Sequence, residues 1–296
     1  MKAYIFLIFC VLFWAGNVVL GRFIKDDITP FEMAFFRWLF VLIIVSPLLI
    51  IRFRNIYIAL KSHFLLLVIL ACLGITAYNT LLYMALTTTT STNVLMINSF
   101  VPILILCLSF IILKQKLILH QFIGILLSTI GVVFLILKGD ISNALSLTFT
   151  KGDLLIILSS LSWAFYSVII KFKPKQLDSI ELFSTLVLIG FLILLPIYLY
   201  QGYTIQREIE ILKSNYLVFI YISVFASCLS YYFWNYGIDN LGANKTGQFF
   251  HLMPLFGTIL AYMFLGERLM FYHFIGAVCI AFGIYMSLFY KRQSTL

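Results

Sequence analysis

The polar side chains that stand out are few, because the chain around them is almost wholly apolar. Between residues 243 and 265, Asn244, Gln248 and His251 recur at spacings of four and three, and Pro254 follows. In a helix that spacing lines one face. Amides both donate and accept hydrogen bonds, and an imidazole takes up a proton near neutral pH. Related groups recur elsewhere at helical spacing: Trp14, Asn17 and Gly21; then Cys72, Thr76, Asn79 and Tyr83, with Tyr78 alongside; then Ser159, Trp163 and Tyr166. Asn98 precedes Pro102, and Asn235 lies in the aromatic stretch 231–236, where Tyr231 and Tyr232 are less certain neighbours of the same chemistry. Trp14, Asn17, Tyr78, Asn79, Tyr83, Asn98, Trp163, Tyr166, Asn235, Gln248 and His251 form a set suited to holding a small organic solute. Rings offer stacking area and amides fix polar ends. No His-Glu-x-x-His, paired intramembrane aspartates or nucleophile beside a base occurs, so no catalytic residues are expected. No Cys/His spacing suits a metal, and no cofactor is implied.

The elements that position these groups follow from composition. Of 296 residues, 63% are hydrophobic and 10% charged, where a soluble domain has about 25% charged. Such a chain belongs in a bilayer, and a spanning helix takes ~20 apolar residues. Ten runs qualify, near 4–24, 30–51, 63–86, 91–113, 118–137, 152–172, 178–200, 216–238, 243–265 and 269–290. They are continuous rather than alternating, so the fold class expected is an all-α integral membrane protein with ten transmembrane helices. The loops near 138–151 and 201–215 are too short to fold alone.

The net charge of +9 comes from scattered short loops, not a basic patch, so no nucleic-acid partner is expected. The positive-inside rule uses it instead. With the N-terminus inside, 12 Lys and Arg fall on the inner side and seven on the outer, while Arg37 lies within a helix. Both termini are therefore expected in the cytoplasm, and the protein in the cytoplasmic (inner) membrane. The five cysteines all lie in apolar runs and read as small core residues. The first run is too long for a signal peptide and lacks a cleavage site.

The chain reads as built twice. Trp14-Ala15 recurs as Trp163-Ala164, Pro47 as Pro196, and Thr29-Pro30-Phe31-Glu32 as Asp178-Ser179-Ile180-Glu181, all 149 residues on. Pro102 recurs as Pro254, Gln121-Phe122-Ile123-Gly124 as His273-Phe274-Ile275-Gly276, and Gly131 as Gly283, at 152. The expected division is 1–145 and 146–296, five helices each. An odd count inverts one repeat relative to the other, the architecture of secondary transporters. Glu32 and Glu181 fit capping boxes better than a proton relay. Arg37, deeper in the second run, is expected to pair with Glu32 or snorkel outward. Pro102 and Pro254 free the carbonyls of Asn98 and Phe250, which marks them as hinges facing protein or a cavity. The fifth and tenth runs, with Gly124, Ser128 and Gly131 and with Gly276 and Gly283, read as outer packing or dimer surface without chemistry.

These residues resemble a known family. Gly266-Glu267-Arg268-Leu269 after a proline-kinked helix, the Gly276 to Gly283 helix, Trp14-Ala15-Gly16-Asn17, Arg37 and Tyr83-Met84-Ala85-Leu86 are together similar to the EamA-type branch of the drug/metabolite transporter superfamily. The first half has Lys114-Gln115 where that pattern has its Gly-Glu turn. The resemblance implies ten helices in inverted repeats, alternating access, and export or uptake of small metabolites through a central cavity lined by helices 1, 3, 4, 6, 8 and 9. Separately, the lack of a mid-helix Asp or Glu beside amides and rings suits an amino acid or a similar metabolite as the solute. The expected partners are a small-molecule substrate and the lipid bilayer, with the protein a monomer or homodimer. A channel, a membrane sensor and a membrane-embedded enzyme are the competing readings.

Overall fold

The computed structural model describes residues 1–116, 119–140, 142–143, 150–265 and 270–289. The first repeat comprises α1 (Lys2–Phe23), α2 (Pro30–Ile51), α3 (Phe53–Ala71), α4 (Tyr78–Thr88), α5 (Ser91–Asn98), α6 (Val101–Leu113) and α7 (Leu119–Ile136). The second comprises α8 (Lys151–Ile169), α9 (Ser179–Tyr200), α10 (Ile205–Ser223), α11 (Ser230–Leu241), α12 (Ala243–Gly247), α13 (Leu252–Leu265) and α14 (Phe271–Phe289). Nine helices among the described residues are long and apolar enough to cross a membrane. The expected 243–265 helix is instead broken into α12, a 3-10 turn over Gln248–His251, and α13. The turn at 266–269 and the C-terminal Lys291 and Arg292 lie outside the described residues.

Both predicted capping boxes are present. Thr29 Oγ1 accepts from the Glu32 amide while the Glu32 carboxylate accepts from the Thr29 amide, and Asp178 and Glu181 repeat the exchange. They satisfy backbone donors that a helix start leaves without partners.

Two features go beyond the sequence reading. The stretch 201–215, expected as a loop, is helical from Ile205 and bends at Asn215; its repeat mate 53–62 is helical too and bends at His63. Hydropathy misses such segments because they alternate Arg and Lys with apolar residues, as a helix lying in the interface does. Past its bend, each continues as apolar helix into a π-helical turn, Cys72–Ala77 before α4 and Val224–Leu229 before α11. A π turn shifts the bonding ladder by one residue and leaves carbonyls available to other donors.

Two pairs of equivalent helices, α2 with α9 and α7 with α14, pack against each other, whereas α1 and α4 pack on the non-equivalent α11 and α8. On α7, Gly124 lies against the Gly283 carbonyl of α14, and Gly131 against the Gly276 carbonyl. A Cβ on Gly283 would stand 2.5 Å from the Ser128 backbone nitrogen, so only glycine allows this approach. The glycine stripes expected on an outer or dimer surface are therefore consumed within the chain. Exposed apolar residues such as Ile44, Leu65, Ile130, Leu192 and Phe274 form the outer surface, the side suited to lipid.

Candidate functional site

The π turns create the site's acceptors. The Ala226 carbonyl, in the second turn, accepts from both Trp14 Nε1 (3.0 Å) and Arg37 Nη2 (2.9 Å). Gly74, its repeat mate in the first turn, accepts from Tyr231 OH (2.5 Å). Around them lies a buried aromatic cluster. Trp163 sits between Trp14 (ring centroids 5.0 Å), Tyr78 (4.6 Å), Tyr166 (5.0 Å), Tyr231 (5.3 Å) and Trp234 (5.5 Å). Phe250 closes it against Trp14 and Trp234.

Polar groups are threaded through this cluster. Asn79 Nδ2 donates to Tyr231 OH at 2.9 Å. Tyr83 OH donates to Asn17 Oδ1, and Tyr166 OH to Asn235 Oδ1, each at 3.0 Å. These last two bonds are repeat mates with the residue types exchanged: the tyrosine stands on α4 in one repeat and on α8 in the other. Several buried polar atoms have no hydrogen-bond partner, among them Trp163 Nε1, Asn235 Nδ2, Asn79 Oδ1 and Trp38 Nε1. Unpaired buried polar atoms are costly, so they mark where a ligand's polar groups gain most.

The remaining sequence-predicted residues lie apart from the aromatic cluster. Asn98 Oδ1 accepts from Ser160 Oγ at 2.9 Å, between α5 and α8. Gln248 and His251 face α7 and α14, because residues three apart in a 3-10 turn point the same way while Phe250 between them points into the cluster. Gln248 Nε2 donates to Ser287 Oγ. His251 meets Ser128 Oγ (2.9 Å), Thr129 Oγ1 (3.1 Å) and the Ser99 carbonyl (3.0 Å). The fifth and tenth runs, read as free of chemistry, thus supply the hydroxyls that hold both side chains. Asn244 leaves the expected stripe and bonds Gln115 at 3.0 Å. Pro102 stands in the first turn of α6, just after the break at 99–100, and Pro254 in the first turn of α13.

Arg37 is the residue whose surroundings sequence reasoning misjudged. It neither pairs with Glu32 nor snorkels. It is 1% exposed and donates to Ser227 Oγ (2.7 Å), Tyr83 OH (2.8 Å) and the Ala226 carbonyl. Glu32 instead binds Arg207, at 2.6 and 3.0 Å. Its mate Glu181 accepts from Asn55 at 3.1 Å, with Arg52 at 3.6 Å. Each capping glutamate is therefore gripped by the interfacial segment of the other repeat. Tyr203 joins the first grip by sharing a 2.6 Å hydrogen bond with Thr29. Burial raises its phenol above the ordinary pKa, which keeps it neutral. A signal for the grips was present in sequence, since Arg207 and Asn55 are 152 residues apart. The contact across repeats was not.

A concavity of about 350 Å³ lies apart from the cluster, near the ends of α1 and α7, and is lined by Arg22, Ser91, Lys138, Pro254, Thr258 and His273 among others. Among the described residues no group of three or more His, Cys, Asp or Glu is placed to hold a metal ion.

Comparison with known proteins agrees with this architecture. The model of the EamA-like transporter family matches residues 1–137 and 150–289. The uncharacterized transporter YetK of Bacillus subtilis is 26% identical over 294 residues, covering 99% of this chain and 88% of its own. An uncharacterized transporter of Archaeoglobus fulgidus is 27% identical over 296 residues, 99% of both chains. The uncharacterized transporter YyaM of Bacillus subtilis is 27% identical over 286 residues, 96% and 92% of the two chains. A solved crystal structure superposes with TM-score 0.74 over 96% of each chain at 15% identity, a likeness of fold.

Proposed function

The chain belongs to the EamA-like transporter family, and from that premise we propose that it moves small organic metabolites, most of all amino acids and related compounds, across the cytoplasmic membrane by alternating access. Export is the favoured direction, both termini are cytoplasmic, and the bends at Pro102 and Pro254 let the repeats rock. The observation that carries this reading is the buried cluster of Trp14, Tyr78, Asn79, Trp163, Tyr166 and Asn235, which joins α1, α4, α8 and α11 and meets itself across the two repeats. A site shared by inverted repeats can be presented to either face by equivalent motions. Asn98, Gln248 and His251 stand outside this cluster, at the broken helices, where they brace the helices that would move.

The lining also speaks to charge. A cation in a low-dielectric cavity needs an opposite charge or costs several kcal/mol. Among the described residues the buried carboxylates are Glu32, Asp153 and Glu181, all in first turns of helices and all engaged in caps. The solute is therefore neutral, zwitterionic or anionic. Uptake into proteoliposomes of labelled amino acids against labelled methyl viologen or ethidium tests this. Saturable amino-acid transport is expected, and saturable transport of the cation alone sinks it.

A further inference from the structure

Arg37 is a permanent cation, buried, in a helix built for a membrane. Its three observed bonds go to neutral oxygens, and among the described residues no carboxylate pairs with it. A buried charge without a counter-charge is strongly unfavourable, and ionisable residues inside membrane helices mark function by default. The fold does not demand it, because the repeat-equivalent position on α9 is Leu186, fully buried at 0% exposure. Three N–H groups of the guanidinium are bonded out of the five it carries.

The groups facing the same cluster point the same way. Arg37 Nη2 and Trp14 Nε1 converge on one carbonyl. Trp163 Nε1 and Asn235 Nδ2 are donors without acceptors, on side chains 0% and 1% exposed. Among the unpaired atoms of the cluster, donors thus outnumber acceptors, the complement of an oxyanion. One acceptor, Asn79 Oδ1, is left over, and the rings beside it offer π faces to an ammonium group.

Resting on the transport reading above, we propose that Arg37 holds the carboxylate of the transported solute, with Asn79 Oδ1 and the aromatic faces receiving its amino group. The site then requires an acid group on its substrate and rejects the corresponding amide.

The test uses the full chain in proteoliposomes and the labelled proteinogenic L-amino acids as probes, with each transported acid and its carboxamide as unlabelled competitors. For the wild type we expect the acid to compete at concentrations about tenfold or more below the amide, the low end for a hydrogen bond to a charged group. Arg37→Gln, checked by gel filtration for an intact fold, should bring the ratio to about one, and Arg37→Lys should restore part of it. If the variants do not fold, the acid-to-amide ratio of the wild type decides alone. Equal competition by acid and amide, with transport intact, overturns the role of Arg37 and leaves the transport reading standing. Absence of any amino-acid uptake overturns that reading and this assignment together.

Discussion

Asn79 and Tyr231 are 152 residues apart in sequence, occupy equivalent positions in the two repeats, and hydrogen-bond to each other at 2.9 Å. Ser99 and His251, also 152 apart, do the same at 3.0 Å. Trp14 and Trp163, mates at the 149 offset, pack ring on ring. A residue that touches its own mate lies on the axis relating the repeats, as in any isologous contact. Three such pairs mark that axis through the interior, and the aromatic cluster surrounds it.

The Asn79–Tyr231 contact should behave as a coupled unit. Tyr231 also serves the Gly74 carbonyl, so Tyr231→Phe removes the short bond to Gly74 and one of the three acceptors of Asn79 Nδ2, which keeps the Gly74 and Ile75 carbonyls. We expect each of Tyr231→Phe and Asn79→Ala to cost about 1–3 kcal/mol, with a coupling energy of at least about 0.5 kcal/mol in a double-mutant cycle. Thermal melts of the two singles and the double in detergent measure it. Strict additivity would show that the contact carries no energy.

The two cross-repeat grips differ in strength. Glu32 is held by two short bonds from Arg207, whereas Glu181 has an amide and a distant guanidinium. Glu32→Gln should loosen the first grip, and the concavity that Val19 lines offers a place to read its effect on access. In a Val19→Cys background, labelling by an impermeant maleimide from outside should accelerate several-fold, while Glu181→Gln should leave it unchanged or slow it. The same rate in all three proteins would remove the grips from the gating cycle.

Close packing of α7 on α14 makes a sharp contrast between neighbours. Gly283→Ala places a methyl against the α7 backbone and should destabilise by about 1–3 kcal/mol. Phe282→Leu, on the exposed face of the same turn, should stay within about 0.5 kcal/mol. Melting curves showing the reverse order would refute the packing described.

Pro102→Ala and Pro254→Ala should slow transport more than they lower stability. Each restores an amide donor next to a helix break while removing only the ring atoms of a buried proline, so the bend is expected to change more than the packing. Initial uptake rates set against melting temperatures decide this, and full transport by both variants counts against hinges at these points.

The 12-to-7 charge count predicts cytoplasmic termini. Cysteines placed at Lys61 and Asn143 in intact cells should label from opposite sides, with Asn143 reached from outside. Labelling of both from one side would overturn the arrangement.

The sequence by itself determined the solvent, the repeat and the two helix starts that carry the predicted capping boxes. Those depend on local quantities: apolar run length, matched motifs at 149 and 152, and capping residues three apart. It also named most of the aromatic cluster, because helical spacing puts Trp14 with Asn17 and Trp163 with Tyr166. The tertiary structure decided what those residues meet. Arg37 looked like a partner for Glu32 because the two are near in sequence. Arg207, 175 residues away, takes Glu32 instead, which leaves Arg37 to face the π turn at Ala226. His251 and Gln248 left the aromatic cluster because a 3-10 turn rotates them toward α7 and α14, a change of period that no apolar pattern records. Periodicity reports which side of a helix is buried. Which helix lies opposite depends on how two inverted halves close on each other, and that is set by contacts between residues more than 100 positions apart.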